Sequence, residues 1–183
     1  MSVSLREPTL ADSEQIAEVH VRSWQVGYQG LMPDDFLAAL DPAYRVRQYR
    51  DSWGRPEYAH VRGLVAETDG HITGFVRYGP YRIGAEPSST VDPQAGGEVY
   101  ALYVDPSRWR EGAGGALLEA AAADLLATGL TPIYVWTLRG NARAVKFYQH
   151  HGFVLDGESR PIELGHTEKI VRLEDRLTLE RSG

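Results

Sequence analysis

The segment Glu98-Val99-Tyr100-Ala101-Leu102-Tyr103-Val104-Asp105-Pro106-Ser107-Arg108-Trp109-Arg110-Glu111-Gly112-Ala113-Gly114-Gly115 runs from β-formers, through a glycine turn, into an alanine- and leucine-rich run. Valine, tyrosine and leucine favour an extended chain over 98–104, and Asp105-Pro106 stops it because proline donates no ladder hydrogen bond. The composition of 115–128 predicts a helix closed by Gly129. Glycines at 112, 114 and 115 remove the Cβ atoms that would keep a bulky anion from the backbone. The first N–H groups of a helix lack internal partners and carry the positive end of its dipole, so a pyrophosphate suits this turn. Arg108 and Arg110 add charge beside it. Two other phosphate motifs are excluded by spacing: a dinucleotide fingerprint needs glycine where Leu117 stands, and no Gly-Lys-Ser/Thr follows.

Reading outward, Thr9 to Asp12 has the form of a capping box, after which Ile16, Val19, Ser23 and Trp24 fall on one helical face. A short second helix has Pro33 in its first turn and Phe36, Leu37 and Leu40 on its apolar side. Residues 61–68 and 71–78 are β-rich and joined by Asp69-Gly70, a hairpin turn. The Gly-, Pro- and Ser-rich stretch 79–97 is expected to be a long surface loop. Residues 133–138 predict a strand, 141–151 a helix capped by Gly152, 153–155 the start of another strand, and 169–173 the last strand. Hairpins followed by alternating strands and helices predict an α/β (α+β) fold: a single domain over residues 1–183, with a mixed, partly antiparallel and partly parallel sheet flanked by helices.

Composition narrows the function classes. With 183 residues and 43% apolar content the chain can fill one hydrophobic core. It has no cysteine, which excludes disulfides, thiolate metal sites and a cysteine nucleophile. The 19 basic against 25 acidic residues, a net charge of -6, argue against nucleic acid as a partner. MSVSLREPTL has neither a basic start nor an apolar run, and no later stretch is long enough to span a bilayer, so a cytoplasmic protein without membrane contact is expected. The six histidines, at 20, 60, 71, 150, 151 and 166, show no ligand spacing, and no metal is expected.

A second cluster, Asn141-Ala142-Arg143-Ala144-Val145-Lys146-Phe147-Tyr148-Gln149-His150-His151-Gly152-Phe153, follows the glycine turn. Together the two clusters resemble the GNAT superfamily of acetyl-CoA-dependent N-acetyltransferases, which have a Gly-x-Gly loop followed by an N-x-x-A-x-x-F-Y-x-x-x-G-F helix. The two N-terminal helices, the hairpin and the Leu102-Tyr103-Val104-Asp105-Pro106 strand end also look like that family.

The resemblance implies transfer of an acetyl group from acetyl-CoA, as cosubstrate, to a primary amine of a small molecule or peptide, and a homodimer. It places the pantetheine arm along the backbone of Leu102, Tyr103 and Val104. The pyrophosphate falls on the loop of Trp109, Arg110, Glu111, Gly112, Ala113, Gly114 and Gly115. Asn141 is implied as a contact to the cofactor arm, and Tyr148 lies near the thioester sulfur. The chain departs from the family's Q/R-x-x-G-x-G/A pattern at Trp109, so a polar contact there must come from Arg108, Arg110 or backbone.

The chemistry needs a base, because an amine with a pKa of about 10.4 is only about a thousandth neutral at pH 7. Glu98 at the start of the central strand is the candidate, directly or through a water, with Tyr100 on the same face as a substitute or orienter. Tyr148 is the candidate proton donor to the leaving thiolate; the same helical face also suits it to a core role. Asn141 can equally be an N-cap. His20, Trp24 and Tyr28 are open between core and acceptor pocket. Two readings outside catalysis remain: an acyl-CoA-binding sensor of the same fold, and a pure interaction protein that ignores coenzyme A.

Overall fold

The computed structural model describes residues 3–85, 89–164 and 170–180. A seven-stranded sheet runs through it in the order β1-β2-β3-β4-β5-β7-β6, with β1 at Ser4–Arg6, β2 at Arg62–Thr68, β3 at His71–Arg82, β4 at Val91–Val104, β5 at Ile133–Leu138, β6 at Val154–Leu164 and β7 at Ile170–Leu179. Only β4 and β5 pair in parallel among these neighbours; the others are antiparallel. That mixture is the one expected. The helices are α1 at Ser13–Gly27, α2 at Asp34–Ala38, α3 at Pro42–Ser52, α4 at Ala113–Ala127 and α5 at Ala142–His150.

The sheet separates two apolar layers. On one face α4 buries Leu117, Leu118, Ala121 and Leu125 against Val76, Val99, Val135 and Leu177, with Tyr148 and Phe153 from α5 and its exit. On the other, Ile16 and Val19 of α1 meet Val65, Ile72 and Phe75. Truncating one of the fully buried leucines of α4 to alanine should cost about 2–5 kcal/mol. Arg6 donates to both carboxylate oxygens of Asp12, at 2.8 and 2.9 Å, and the N–H of Thr9 donates to that carboxylate at 2.6 Å, which anchors the start of α1.

Several expectations hold closely: β5 is as read, the Asp69-Gly70 turn has φ of 52° and 78°, and Asn141 caps α5. The expected loop over 79–97 does not hold at its two ends, 79–82 and 91–97, which are strand. β3 continues to Arg82 and β4 starts at Val91. Gly79 and Gly97 mark close approach instead of a turn: a Cβ on Gly79 would lie 2.5 Å from the carbonyl oxygen of His60, and one on Gly97 3.0 Å from Leu125. α4 begins at Ala113 instead of 115, β7 extends well past 173, and α3 and β1 were not anticipated. α3 has no fully buried residue, so it lacks the apolar stripe by which helices are recognised. His166 and Lys169, and residues 86–88 of the expected loop, lie outside the described residues.

Candidate active site

The parallel pairing of β4 with β5 covers only Gly97–Ile133, Glu98–Tyr134 and Val99–Val135, although β4 runs on to Val104 and β5 to Leu138. Past Val99 the two strands part, and the edge of β4 carrying Leu102, Tyr103 and Val104 has no strand beside it. A register shift at Arg77/Tyr78, which pair with Ala101 and Val99, inserts Tyr100 as an extra residue and bends β4 at that point.

The open edge leads to the glycine turn. Arg110 and Gly112 both have positive φ, 70° and 94°, and Gly112 is the N-cap of α4. Nothing lies within 4 Å of where a Cβ on Gly112 would stand, so the space over the turn is open; a Cβ on Gly114 would meet Phe147 and Val104 at 3.5 Å. The N–H groups of Ala113, Gly114 and Gly115, in the first turn of α4, have no intrahelical acceptors. Arg108 bonds Glu111 at 3.2 Å, whereas Arg110 is exposed and pairs with no carboxylate among the described residues. Trp109 is turned inward: its Nε1 donates to the carbonyl of Val104 at 2.9 Å, and the guanidinium of Arg143 lies 3.8 Å over its ring. Arg143 also donates to the carbonyl of Gly27 at 3.2 Å, tying α5 to the end of α1.

Asn141 accepts from the N–H of Ala144 at 3.1 Å as an N-cap, leaving its amide NH2 unbonded within the described residues. Tyr148 is buried, edge-on to Phe147 and Phe153 at 5.2 and 5.6 Å. Burial, with the Tyr103 hydroxyl nearby, pushes its pKa above that of a free tyrosine.

On the side of the sheet facing α1 and α3 lies a cavity of about 750 Å³, lined by His20, Trp24 and Tyr28 of α1, Tyr49 of α3, and Glu98, Tyr100 and Tyr103 of β4. Its floor holds two ion pairs. Glu98, with no exposed surface, accepts from Arg82 through Nη2 at 2.6 Å, Nε at 3.3 Å and the backbone N–H at 2.9 Å. Across β5, Glu174 accepts from Nε of Arg160 at 3.1 Å, and burial raises its pKa above the usual carboxylate range. Each guanidinium also caps an aromatic face, Arg82 over Tyr100 at 4.2 Å and Arg160 over Trp136 at 4.1 Å. His20 bonds Tyr49 Oη through Nδ1 at 2.8 Å and stacks on Tyr103 at 4.8 Å, while its buried Nε2 has no hydrogen-bond partner among the described residues. Burial, then the charges of Arg45 and Arg77, hold its pKa well below 6.5.

The fold therefore brings together Glu98, Tyr100, Tyr103, His20, Trp24 and Tyr28 at one cavity and Trp109–Gly115 at one turn. Tyr148 does not line the cavity; it belongs to the apolar layer under α4. Sequence reasoning missed Arg82, Arg160 and Glu174, which belong to strand segments hidden in the supposed loop, past the 153–155 start of β6, and beyond the expected end of β7, respectively. No three His, Asp or Glu side chains converge as a metal-binding set among the described residues.

The acetyltransferase (GNAT) family model matches residues 16–153, a span holding the split strands, the glycine turn and α5. The uncharacterized N-acetyltransferase YuaI of Bacillus subtilis (strain 168) is 34% identical over 149 residues, covering 80% of this chain and 78% of that protein. The mycothiol acetyltransferase of Acidimicrobium ferrooxidans is 33% identical over 109 residues, 60% of this chain but 32% of that longer protein. Among solved structures, the PaiA N-acetyltransferase of Thermoplasma acidophilum in complex with coenzyme A superposes with a TM-score of 0.72 at 19% identity over 98% of this chain and 99% of that one. With the motif helix and glycine turn standing on the two sides of a strand gap, and the family model spanning both, this chain is an acyltransferase and belongs to the acetyltransferase (GNAT) family.

Proposed function

We propose that the protein transfers the acetyl group of acetyl-CoA to a primary amine of a small molecule or peptide by direct attack, without an acyl-enzyme. The observation that carries this is the parting of β4 and β5 in line with the glycine turn. An open strand edge suits an amide-bearing pantetheine arm, and the turn beyond it suits the diphosphate. The coenzyme A bound by the Thermoplasma relative supports the same carrier here.

In this reading the backbone of Leu102, Tyr103 and Val104 aligns the arm, and Trp109 to Gly115 hold the diphosphate through N–H groups. Arg110 supplies charge, as does Arg143, which Trp109 positions in place of the polar side chain usual at its site. Asn141 offers its free amide NH2 to the arm. The amine lone pair attacks the thioester carbon; the C–N bond forms, the C–S bond breaks and the sulfur leaves with the electron pair. Tyr148, protonated at neutral pH like any tyrosine, delivers a proton to that sulfur. N–H groups on the open edge of β4 face the developing oxyanion.

Glu98 removes the amine proton through a water, since its carboxylate already accepts from Arg82. A second reading of the base is favoured by one observation: Glu174 lines the same cavity and holds a proton more readily than an ordinary carboxylate.

Incubation with acetyl-CoA and a mixture of amines, followed by thiol release, tests the function. Release dependent on an amine supports it. Coenzyme A binding without release with any amine would mark an acyl-CoA-binding module instead, and absence of both would sink the reading.

A further inference from the structure

The charges of the acceptor cavity are unequal in a way that selects its ligand. On the floor, Arg82 is matched by Glu98 and Arg160 by Glu174, so those charges cancel locally. On the wall formed by α3 and β3 they do not. The Arg45 guanidinium lies 5.5 Å over the Trp24 ring and, among the described residues, hydrogen-bonds only the neutral side chain of Gln48, at 2.7 Å. Arg77 lies 5.6 Å over the ring of Tyr49. Both are half-buried cavity-lining residues, and neither pairs with a carboxylate among the described residues. Both charges act on His20 of α1, whose buried Nε2 lacks a hydrogen-bond partner among the described residues. Asp41, a cavity acid, is occupied in capping α3 through the N–H of Ala43 at 2.8 Å, and Asp35 is exposed, where water screens it.

Two partly desolvated guanidiniums without counter-ions are costly unless a ligand supplies the anion. Around them Trp24, Tyr49 and Tyr103 line the cavity, an aromatic surrounding that suits a flat apolar body. Arg77 is the cross-strand partner of Ala101, so it is one strand away from the open edge of β4 where the thioester is proposed to lie.

Resting on the acetyltransferase reading of this site, we propose that the acceptor is an amine carrying a carboxylate on an aromatic body, an aromatic amino acid being the simplest case, with Arg45 and Arg77 binding the carboxylate. The acetyl group becomes an amide on the acceptor nitrogen as the carbon–sulfur bond breaks and the thiol leaves with a proton; the carboxylate is unchanged. A polycationic amine, by contrast, has to enter against two uncompensated positive charges.

The test compares kcat/KM for phenylalanine, tyrosine and tryptophan with that for phenethylamine, tyramine and tryptamine, and with spermidine, at saturating acetyl-CoA. The expected preference for the carboxylated member of each pair is about tenfold or more, the size of a charge-assisted contact. Arg77→Gln and Arg45→Gln should each reduce that preference about tenfold through KM, while calorimetry shows coenzyme A bound as in the parent, which controls for folding. Equal or better transfer to the decarboxylated amines or to spermidine overturns the acceptor assignment and leaves the acetyltransferase reading standing. Thiol release with none of these amines, while coenzyme A still binds, also overturns the acceptor assignment. Failure to bind coenzyme A removes the underlying reading as well.

Discussion

The glycine turn and the aromatic cavity share strand β4 but are built by different means. The turn is local and made of backbone: its parts fall within Trp109 to Gly115, and its chemistry is that of N–H groups at a helix start. The cavity is assembled from side chains far apart in sequence, with Arg82 meeting Glu98, Arg160 meeting Glu174, and His20 meeting Tyr49. A backbone device tolerates change at most neighbouring side chains, whereas a side-chain cavity can be altered one residue at a time. The carrier half is thus the part expected to be common to related enzymes, and the cavity the part that sets the acceptor.

The largest effect that would break this division comes from Gly112→Val. A β-branched residue at φ of 94° is strained, and its side chain enters the open space over the turn. Coenzyme A affinity should fall roughly a hundredfold or more by calorimetry, with the acceptor cavity untouched. Gly114→Ala, whose new methyl makes only ordinary contacts at 3.5 Å, separates the loss of the phosphate site from loss of folding. Retained affinity in both variants would remove the turn from the proposal.

Next in size, Tyr148→Phe should lower kcat about a hundredfold, the low end of the range of a general acid, while coenzyme A affinity stays nearly constant. Unchanged turnover would leave Tyr148 as a core residue packed on Phe147 and Phe153.

The two cavity carboxylates sharpen the comparison through pH. A base works only when deprotonated, so activity falls as pH drops through its pKa. Because burial raises the pKa of Glu174, a profile governed by Glu174 should lose activity at a higher pH than an ordinary carboxylate would give. Glu174→Gln then abolishes that limb, and Glu98→Gln does so if Glu98 is the base. Either variant that keeps the parental limb excludes its residue.

The smallest effect concerns the anchoring of α1, which carries His20 and Trp24 to the cavity. Hydrogen bonds from Arg6 lower the pKa of Asp12 to about 2. A lowered carboxylate pKa contributes stability that is complete above its unfolded value near 3.9 and is lost as pH falls toward about 2. Because Arg6 is partly exposed, Asp12→Asn should cost about 1 kcal/mol at pH 7 by denaturant melts, and that difference should shrink below pH 4. An undiminished difference at pH 2 would show that the loss is not electrostatic.

How much of this was legible follows from the same contrast. Asn141 to Phe153 announced both a helix and a family because its signals are adjacent: an N-cap, a repeating apolar face and a terminal glycine. The strands around 79–97 were not legible, because Gly79, Gly96 and Gly97 look like loop residues until His60, Pro132 and Leu125 are placed against them. α3 escaped notice because it buries no residue fully, so its sequence carries no apolar stripe.

By itself the sequence determined the glycine turn, the capped motif helix and the hairpin, since each is encoded by residues within a few positions of one another, where propensity and backbone geometry act directly. Only the tertiary structure decided where β4 leaves β5, which arginines are matched by carboxylates and which stand unmatched. Those outcomes depend on pairings across tens of residues, and a pairing energy exists only once folding has brought the partners together.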